Sequence, residues 1–262
     1  MSLRTFDPID EKALRAFVTD NTVGVLPVAA TEQHGPHLPV TTDSDIARGH
    51  LAALPTFLQP ELSVAVLPLQ TVGYSAEHSA FPGLVSGEPE ELLAEWGRMA
   101  RKFHDAGGRR LVIVSSHGGN SPVVDILIRR LRVDLKMLAV ATSWMRFGQP
   151  ANLFTEWELA HGIHGGDIET SLMLHYAPGS VRRDKWQKFM ELRPTPVKNP
   201  GLLSRSGPHR YGWMSQDLTA TGVIGDATLA TAEKGAASAR HALESFAKLL
   251  AEVAAFDLGR LR

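Results

Sequence analysis

The chain has 262 residues with 27 basic and 28 acidic side chains and a formal net charge of −1, a balance that offers no footprint for nucleic acid or an anionic membrane surface. Hydrophobic residues make up 44% and charged residues 21%, a globular composition long enough to bury a core, and one domain over 1–262 is the simplest reading. With no cysteine, disulfides, thiolate nucleophiles and cysteine zinc sites are excluded. No secretory leader pattern opens the chain and no apolar run approaches the roughly 20 residues that span a bilayer, so a soluble, cytoplasmic protein is expected.

In chain order, VGVLPVA at 23–29 is short, apolar and β-branched and predicts a buried strand despite Pro27. SVAVLPL at 63–69, LVIVSS at 111–116 and MLAVATS at 137–143 repeat the pattern. Helical patterns lie between them. DSDIARGHLAALPTFL offers Asp43 or Ser44 as an N-cap, and EPEELLAEWGRMARKFHDAGG is amphipathic and stops at a glycine pair. NSPVVDILIRRLRVDL offers Asn120 as its cap, with Pro122 in the first turn. Strands alternating with helices predict an α/β fold with a mostly parallel central sheet covered on both faces. Residues 177–226, rich in Gly, Pro, Arg and Ser, predict long loops and short hairpins, and a final helix is expected over roughly 228–255.

Three polar clusters fall in the loops of that outline. TEQHGPHLPVTTD (31–43) follows the first strand and holds Glu32, His34, His37 and Asp43. SSHGGN follows the third strand and holds His117, and HGIHGGDIETS (161–171) holds His161, His164, Asp167 and Glu169 before the apolar turn SLML. Ligands of open α/β sheets bind outside the carboxyl ends of the strands, so Glu32, His34 and Asp43 are expected to meet His117 in space. Imidazoles and carboxylates without cysteine suit divalent zinc, manganese or iron. Two cations sharing a bridging carboxylate account for so many ligands. Taken singly, each residue also has a structural role open to it. Asp43 can cap a helix, Glu169 can serve as a first-turn acid, the glycines after His117 can form a tight turn, and His37 can be a packing or ligand-supporting imidazole.

Together with GYSAEHSAFPG (73–83) and TGVIGDATLATAEKG (221–235), these motifs resemble, in order and from about residue 22 to 245, the creatininase family of metal-dependent amidohydrolases. The resemblance implies a three-layer α/β/α sandwich, two divalent metals (zinc or manganese, with iron possible) and a homo-oligomer, often a hexamer, acting on a small molecule. On that pattern Glu32 and His117 bind one metal, His34 the other, and Asp43 bridges both. Where creatininase proper reads HYEN, this chain has HGGN, with Gly119 in place of a ligating Glu. The missing carboxylate is therefore expected from Glu169, with Asp167 second. His164 is expected to move the proton and Asp167 is the further catalytic candidate.

Ser75, His78, Gly118 and Trp144 are the expected substrate-binding residues, and Ser75, Glu77 and His78 are expected to line the pocket mouth or to orient ligands. Aromatic walls of creatininase proper are replaced by Gly118 and Ala160, with Trp144 and Trp157 out of register, so creatinine itself is not the expected substrate. A cyclic amide or formamide is. The family also holds peptide-processing enzymes and hydrolases of cyclic ketones, and a catalytically silent scaffold is the competing reading that Gly119 favours. The tract RSGPHRYGWMSQD (205–217), with Arg210, Tyr211 and Trp213, reads as a lid, an intersubunit loop or a plain surface loop.

Overall fold

A computed structural model describes residues 3–189, 202–205 and 208–261. Residues 190–201 and 206–207, part of the irregular 177–226 stretch, lie outside the described residues. Strands β1 (Leu3–Thr5), β2 (Val23–Val28), β3 (Val64–Val66), β4 (Arg110–Ser115) and β5 (Leu138–Ser143) form a parallel 5-stranded sheet in the order β1-β3-β2-β4-β5. The helices are α1 (Glu11–Phe17), α2 (Thr42–Ala53), α3 (Pro89–Asp105), α4 (Ser121–Leu135), α5 (Glu156–His161), α6 (Asp167–Tyr176), α7 (Ser215–Leu218) and α8 (Ala232–Ala255).

Alternation along each strand sends side chains to two different cores, because successive residues face opposite sides of a sheet. Leu26, Val28, Leu111 and Ile113 pack with Leu14 of α1, Trp96 and Phe103 of α3 and Leu127 of α4. Val23, Val25, Val112 and Val114 pack on the opposite face with Leu243, Phe246 and Leu250 of α8. Both faces are covered, so the strand centres are apolar and β2 and β4 are buried along their whole length. This is the expected α/β/α sandwich. A third cluster joins Ile46 of α2, Ile168 and Met173 of α6 and Ala239 of α8, seating α6 beside the sheet's carboxyl end.

Two expected caps are corrected. Helix α2 starts after Thr41 with no side-chain cap, and Asp43 lies inside its first turn. Asn120 precedes α4 without capping it. Its side chain instead donates to the Ala29 carbonyl at 3.0 Å and accepts from the Tyr74 amide at 2.9 Å, tying three loops together. In the irregular region, β6 (Lys188–Phe189) pairs antiparallel with β9 (Gly225–Asp226), and β7 (Leu203–Ser204) pairs parallel with β8 (His209–Arg210). Among the described residues no helix is long and apolar enough to cross a membrane.

Candidate metal centre

Strands β2 and β4 are neighbours in register through Val28↔Ser115, so the segments leaving their carboxyl ends stay side by side. One carries Glu32 and His34, the other His117. Helix α2 brings Asp43 in its first turn, where the helix dipole favours a negative charge. The loop before α6 supplies His164 and the first turn of α6 supplies Glu169. The three polar clusters of the sequence thus meet at one place.

Asp43 stands between two imidazoles. Its Oδ2 is 3.6 Å from Nδ1 of His117, and its Oδ1 is 3.5 Å from Nε2 of His34. Glu32 Oε1 lies 3.2 Å from His117 Nδ1, and Glu169 Oε2 lies 3.9 Å from His34 Nε2. Ligand atoms of His34, Asp43 and Glu169 lie within 4.8 Å of one another, as do those of Glu32, Glu77 and His117 and those of Glu32, His34 and His164. Glu32 Oε1, His34 Nε2 and Asp43 Oδ2 are buried with no hydrogen-bond partner. Leaving such atoms bare costs about 1–3 kcal/mol each, more when charged. Acceptor atoms aimed into one shared space fit a divalent cation.

The surrounding shell fixes which atoms face inward. His34 Nδ1 is 3.1 Å from the Glu32 carbonyl, and donating to it leaves Nε2 free. His117 Nε2 is 2.9 Å from the Tyr74 carbonyl, leaving Nδ1 free. Ser75 donates to Glu32 Oε2, and the Gly165 amide donates to Glu169 Oε2 at 2.6 Å. Such outer bonds are what orient metal-ligating side chains. The titration pattern agrees. Burial pushes the Glu32 carboxyl up, but the His117, His164 and His34 imidazoles outweigh it and hold it well below the usual carboxylate range. Burial pushes His34 down, yet Asp43, Glu169 and Glu32 raise it to about 9, and Glu32 raises His117 in the same way. The centre is built to hold positive charge, which a proton or a metal can supply.

His164 Nε2 is 2.5 Å from the Gln33 carbonyl, while its Nδ1 lies 3.6 Å from Glu32 Oε1. Burial and the neighbouring His34 lower its pKa, so the ring is neutral near pH 7. The His78 ring lies tilted 4.3 Å from it, bound through Nδ1 to Gln33 Nε2 (2.9 Å) and Ser215 Oγ (3.0 Å). Ser215 opens α7 and is buried, so the 205–217 tract reaches its own chain's centre at that end, while Arg210 and Tyr211 are exposed.

Other expected positions fall differently. Asp167 does not join the centre: its carboxylate meets Lys234 Nζ at 2.5 Å and Ser171 Oγ at 3.0 Å, in the contact between α6 and α8. Trp144 is not a substrate wall but a core residue, 4.8 Å edge-on to Phe246. His37 holds Gly165 and Thr170 at 3.0 Å each and stacks on Phe189, so it braces the loop. Ser75 is fully buried behind Glu32 and fixes that carboxylate through its hydroxyl. Gly118 is exposed with open space where a side chain would project. Sequence reasoning missed Gln33, Ser215 and Glu158. Glu158 is a buried acid on α5 that accepts from the Asp226 amide at 3.2 Å and the Ile168 amide at 3.4 Å.

The chain matches the family model described as creatininase, creatinine amidohydrolase, over residues 9–250. It is 34% identical over 220 residues to the mycofactocin precursor peptide peptidase of Mycobacterium tuberculosis (80% of this chain, 77% of that one). It is 31% identical over 182 residues to the creatinine amidohydrolase of Pseudomonas putida (62% of this chain, 66% of that one). A solved structure of manganese creatininase superposes with a TM-score of 0.70 at 25% identity, covering 95% of this chain and 97% of that one. The converging side chains sit on a shared fold, and the chain belongs to the creatininase family of hydrolases.

Proposed function

We propose that this protein is a hydrolase that cleaves a C–N amide bond by metal-activated water, with two divalent cations as its cofactors. One observation carries the reading: five ligand-type side chains from two loops and two helix starts converge, and three of their inward atoms are buried without a hydrogen-bond partner. Glu32 and His117 would hold one cation, His34 and Glu169 the other, and Asp43 gives one oxygen to each half. Zinc and manganese suit neutral imidazole with carboxylate, and iron is compatible with the same donors. When bound, such ions lower the pKa of water and polarise a carbonyl.

The chain's own residues supply the rest. His164, its Nε2 tied to the Gln33 carbonyl, presents Nδ1 to the centre. From there it takes the proton of the attacking water and delivers it to the departing nitrogen, a transfer commonly worth about 10²–10⁴-fold in rate. His78, held by Gln33 and Ser215, lines the same space, and Gly118 leaves the approach open.

A cyclic amide or formamide is the first substrate class, because no aromatic side chain stands at Gly118 or Ala160 to stack on a flat ring such as creatinine. A peptide amide is the second reading, favoured by the 34% identical relative named as a peptide peptidase. A homo-oligomer, a hexamer in the cytoplasm, belongs to the same proposal and is read by light scattering.

Elemental analysis of the purified protein beside Glu169→Ala tests the centre. Two ions per chain, with one lost in the variant, are expected. A wild type that refuses both zinc and manganese would end the enzyme reading and leave a scaffold. Turnover of a ketone but not of amides would move the reaction to C–C cleavage.

A further inference from the structure

Glu77 lies in the short turn Ala76–His78, a segment that supplies none of the five ligands proposed above. Its carboxylate reaches the loop after β4, where Oε1 is 3.4 Å from His117 Nε2 and the side chain is only 19% exposed. The same oxygen would lie 2.6 Å from a Cβ built on Gly119, which would also meet His117 Nε2 at 2.4 Å and the Tyr74 carbonyl at 2.5 Å. A Cβ on Gly118 would meet nothing within 4 Å. The two glycines of HGGN therefore differ in kind. Position 118 faces open space, whereas the volume at 119 is already taken by Glu77 and the ring it touches.

His117 turns Nδ1 toward Glu32 and Asp43 and Nε2 toward Tyr74 and Glu77. A carboxylate behind a metal-ligating imidazole fixes the ring and makes its other nitrogen a stronger donor. The Tyr74 carbonyl holds the ring's proton but brings no charge; Glu77 brings the charge. The geometry points to Glu77 as the positioning residue of His117: seated in the volume Gly119 leaves free, its carboxylate orients and strengthens that imidazole toward a divalent cation at the Glu32–His117 half. This rests on the metal-centre reading above.

The test uses the full chain, stripped with a chelator and titrated with Co²⁺ against a competing chelator dye, as wild type and as Glu77→Gln. Wild type is expected to take two ions. In Glu77→Gln one of the two is expected to bind about 10–100-fold more weakly, with a changed visible absorption band for that ion and an unchanged melting temperature of the metal-free protein. Wild-type Co²⁺ affinities and spectrum in the variant would overturn the inference while leaving the metal centre standing. A lowered metal-free melting temperature with unaltered affinities would also overturn it, reducing Glu77 to a packing residue. Should Glu77→Gln not fold, Glu77→Asp, which withdraws the carboxylate from His117, is judged by the same criteria. A wild type that takes no Co²⁺ would overturn the metal-centre reading, and this inference with it.

Discussion

Replacing Glu158 by Ala should loosen the loop that carries His164 and the start of α6 that carries Glu169. The carboxylate is buried, with 1% of the residue exposed, and three glycines close around it. A Cβ on Gly162, Gly166 or Gly225 would come within 2.4, 2.2 or 3.1 Å of its atoms. Its two oxygens accept from the backbone amides of Ile168 and Asp226, pinning the start of α6 to β9. Hydrogen bonds to a charged group are worth about 1.5–3 kcal/mol each, so two of them set a gross loss of about 3–6 kcal/mol. Part of this returns because a buried carboxylate is itself costly, and burial raises the Glu158 pKa for that reason. We expect a net loss of about 2–4 kcal/mol by urea unfolding. Release of the loop should also shift Glu169, so metal titration should show the His34–Glu169 half weakened and the Glu32–His117 half retained. A misplacement of about 1 Å can cost roughly 10²-fold in rate. Wild-type stability together with a full metal complement in Glu158→Ala would refute the reasoning.

Three further outcomes follow from the same geometry. His164→Ala should keep both metals and lose about 10²–10⁴-fold in kcat; full turnover with metals bound would remove His164 from proton transfer. Asp167→Asn removes the charge paired with Lys234, whose side chain is 24% exposed and keeps the Leu229 carbonyl at 2.9 Å. It should therefore cost about 2–3 kcal/mol, below the 3–5 of a fully buried pair, and leave metal content untouched; loss of a metal in this variant would return Asp167 to the centre. His50, buried with Nδ1 2.8 Å from the Tyr176 hydroxyl, is pushed by burial down to about 3, below its unfolded value of about 6.5. Between those two pH values the unfolded chain binds a proton that the folded chain does not. Stability from this group is thus intact above pH ~6.5 and falls by about 1.4 kcal/mol per pH unit below it. Urea unfolding of wild type and His50→Gln at several pH values should show the smaller slope in the variant, and equal slopes would contradict the assignment.

Continuous apolar runs made β2, β3, β4 and β5 legible, since strands buried on both faces carry little else. The LRT of β1 has too few apolar residues to stand out, and only its pairing with β3 identifies it. Glu32, His34 and His117 were legible for a related reason: polar residues directly after a buried strand sit where ligands bind in such sheets. Gln33, Ser215 and Glu158 were not, because each acts through a partner far off in sequence, as when Gln33 meets His78 and Gly222. Trp144 shows the converse. An aromatic residue just after a strand can turn into the core as readily as into a pocket, and nothing local decides which.

The choice between Asp167 and Glu169 was decidable in principle. Residues two apart on a helix point about 160° away from each other, so only one of the pair can face the centre. Glu169 faces His34 and Asp167 faces Lys234. The difference in partner matters as much as the direction. Asp167 is matched by the Lys234 ammonium, a fixed compensation that leaves no need for an ion. Among the described residues, the ion pairs of Glu32, Asp43, Glu77 and Glu169 are all to histidines. An imidazole can hold a proton while the centre is empty and offer the same lone pair to a metal when one arrives. Lysine in those places would neutralise the carboxylates permanently and exclude the cation. One turn of α6 thus carries both solutions: an acid closed by a lysine, and an acid left open for an exchangeable charge.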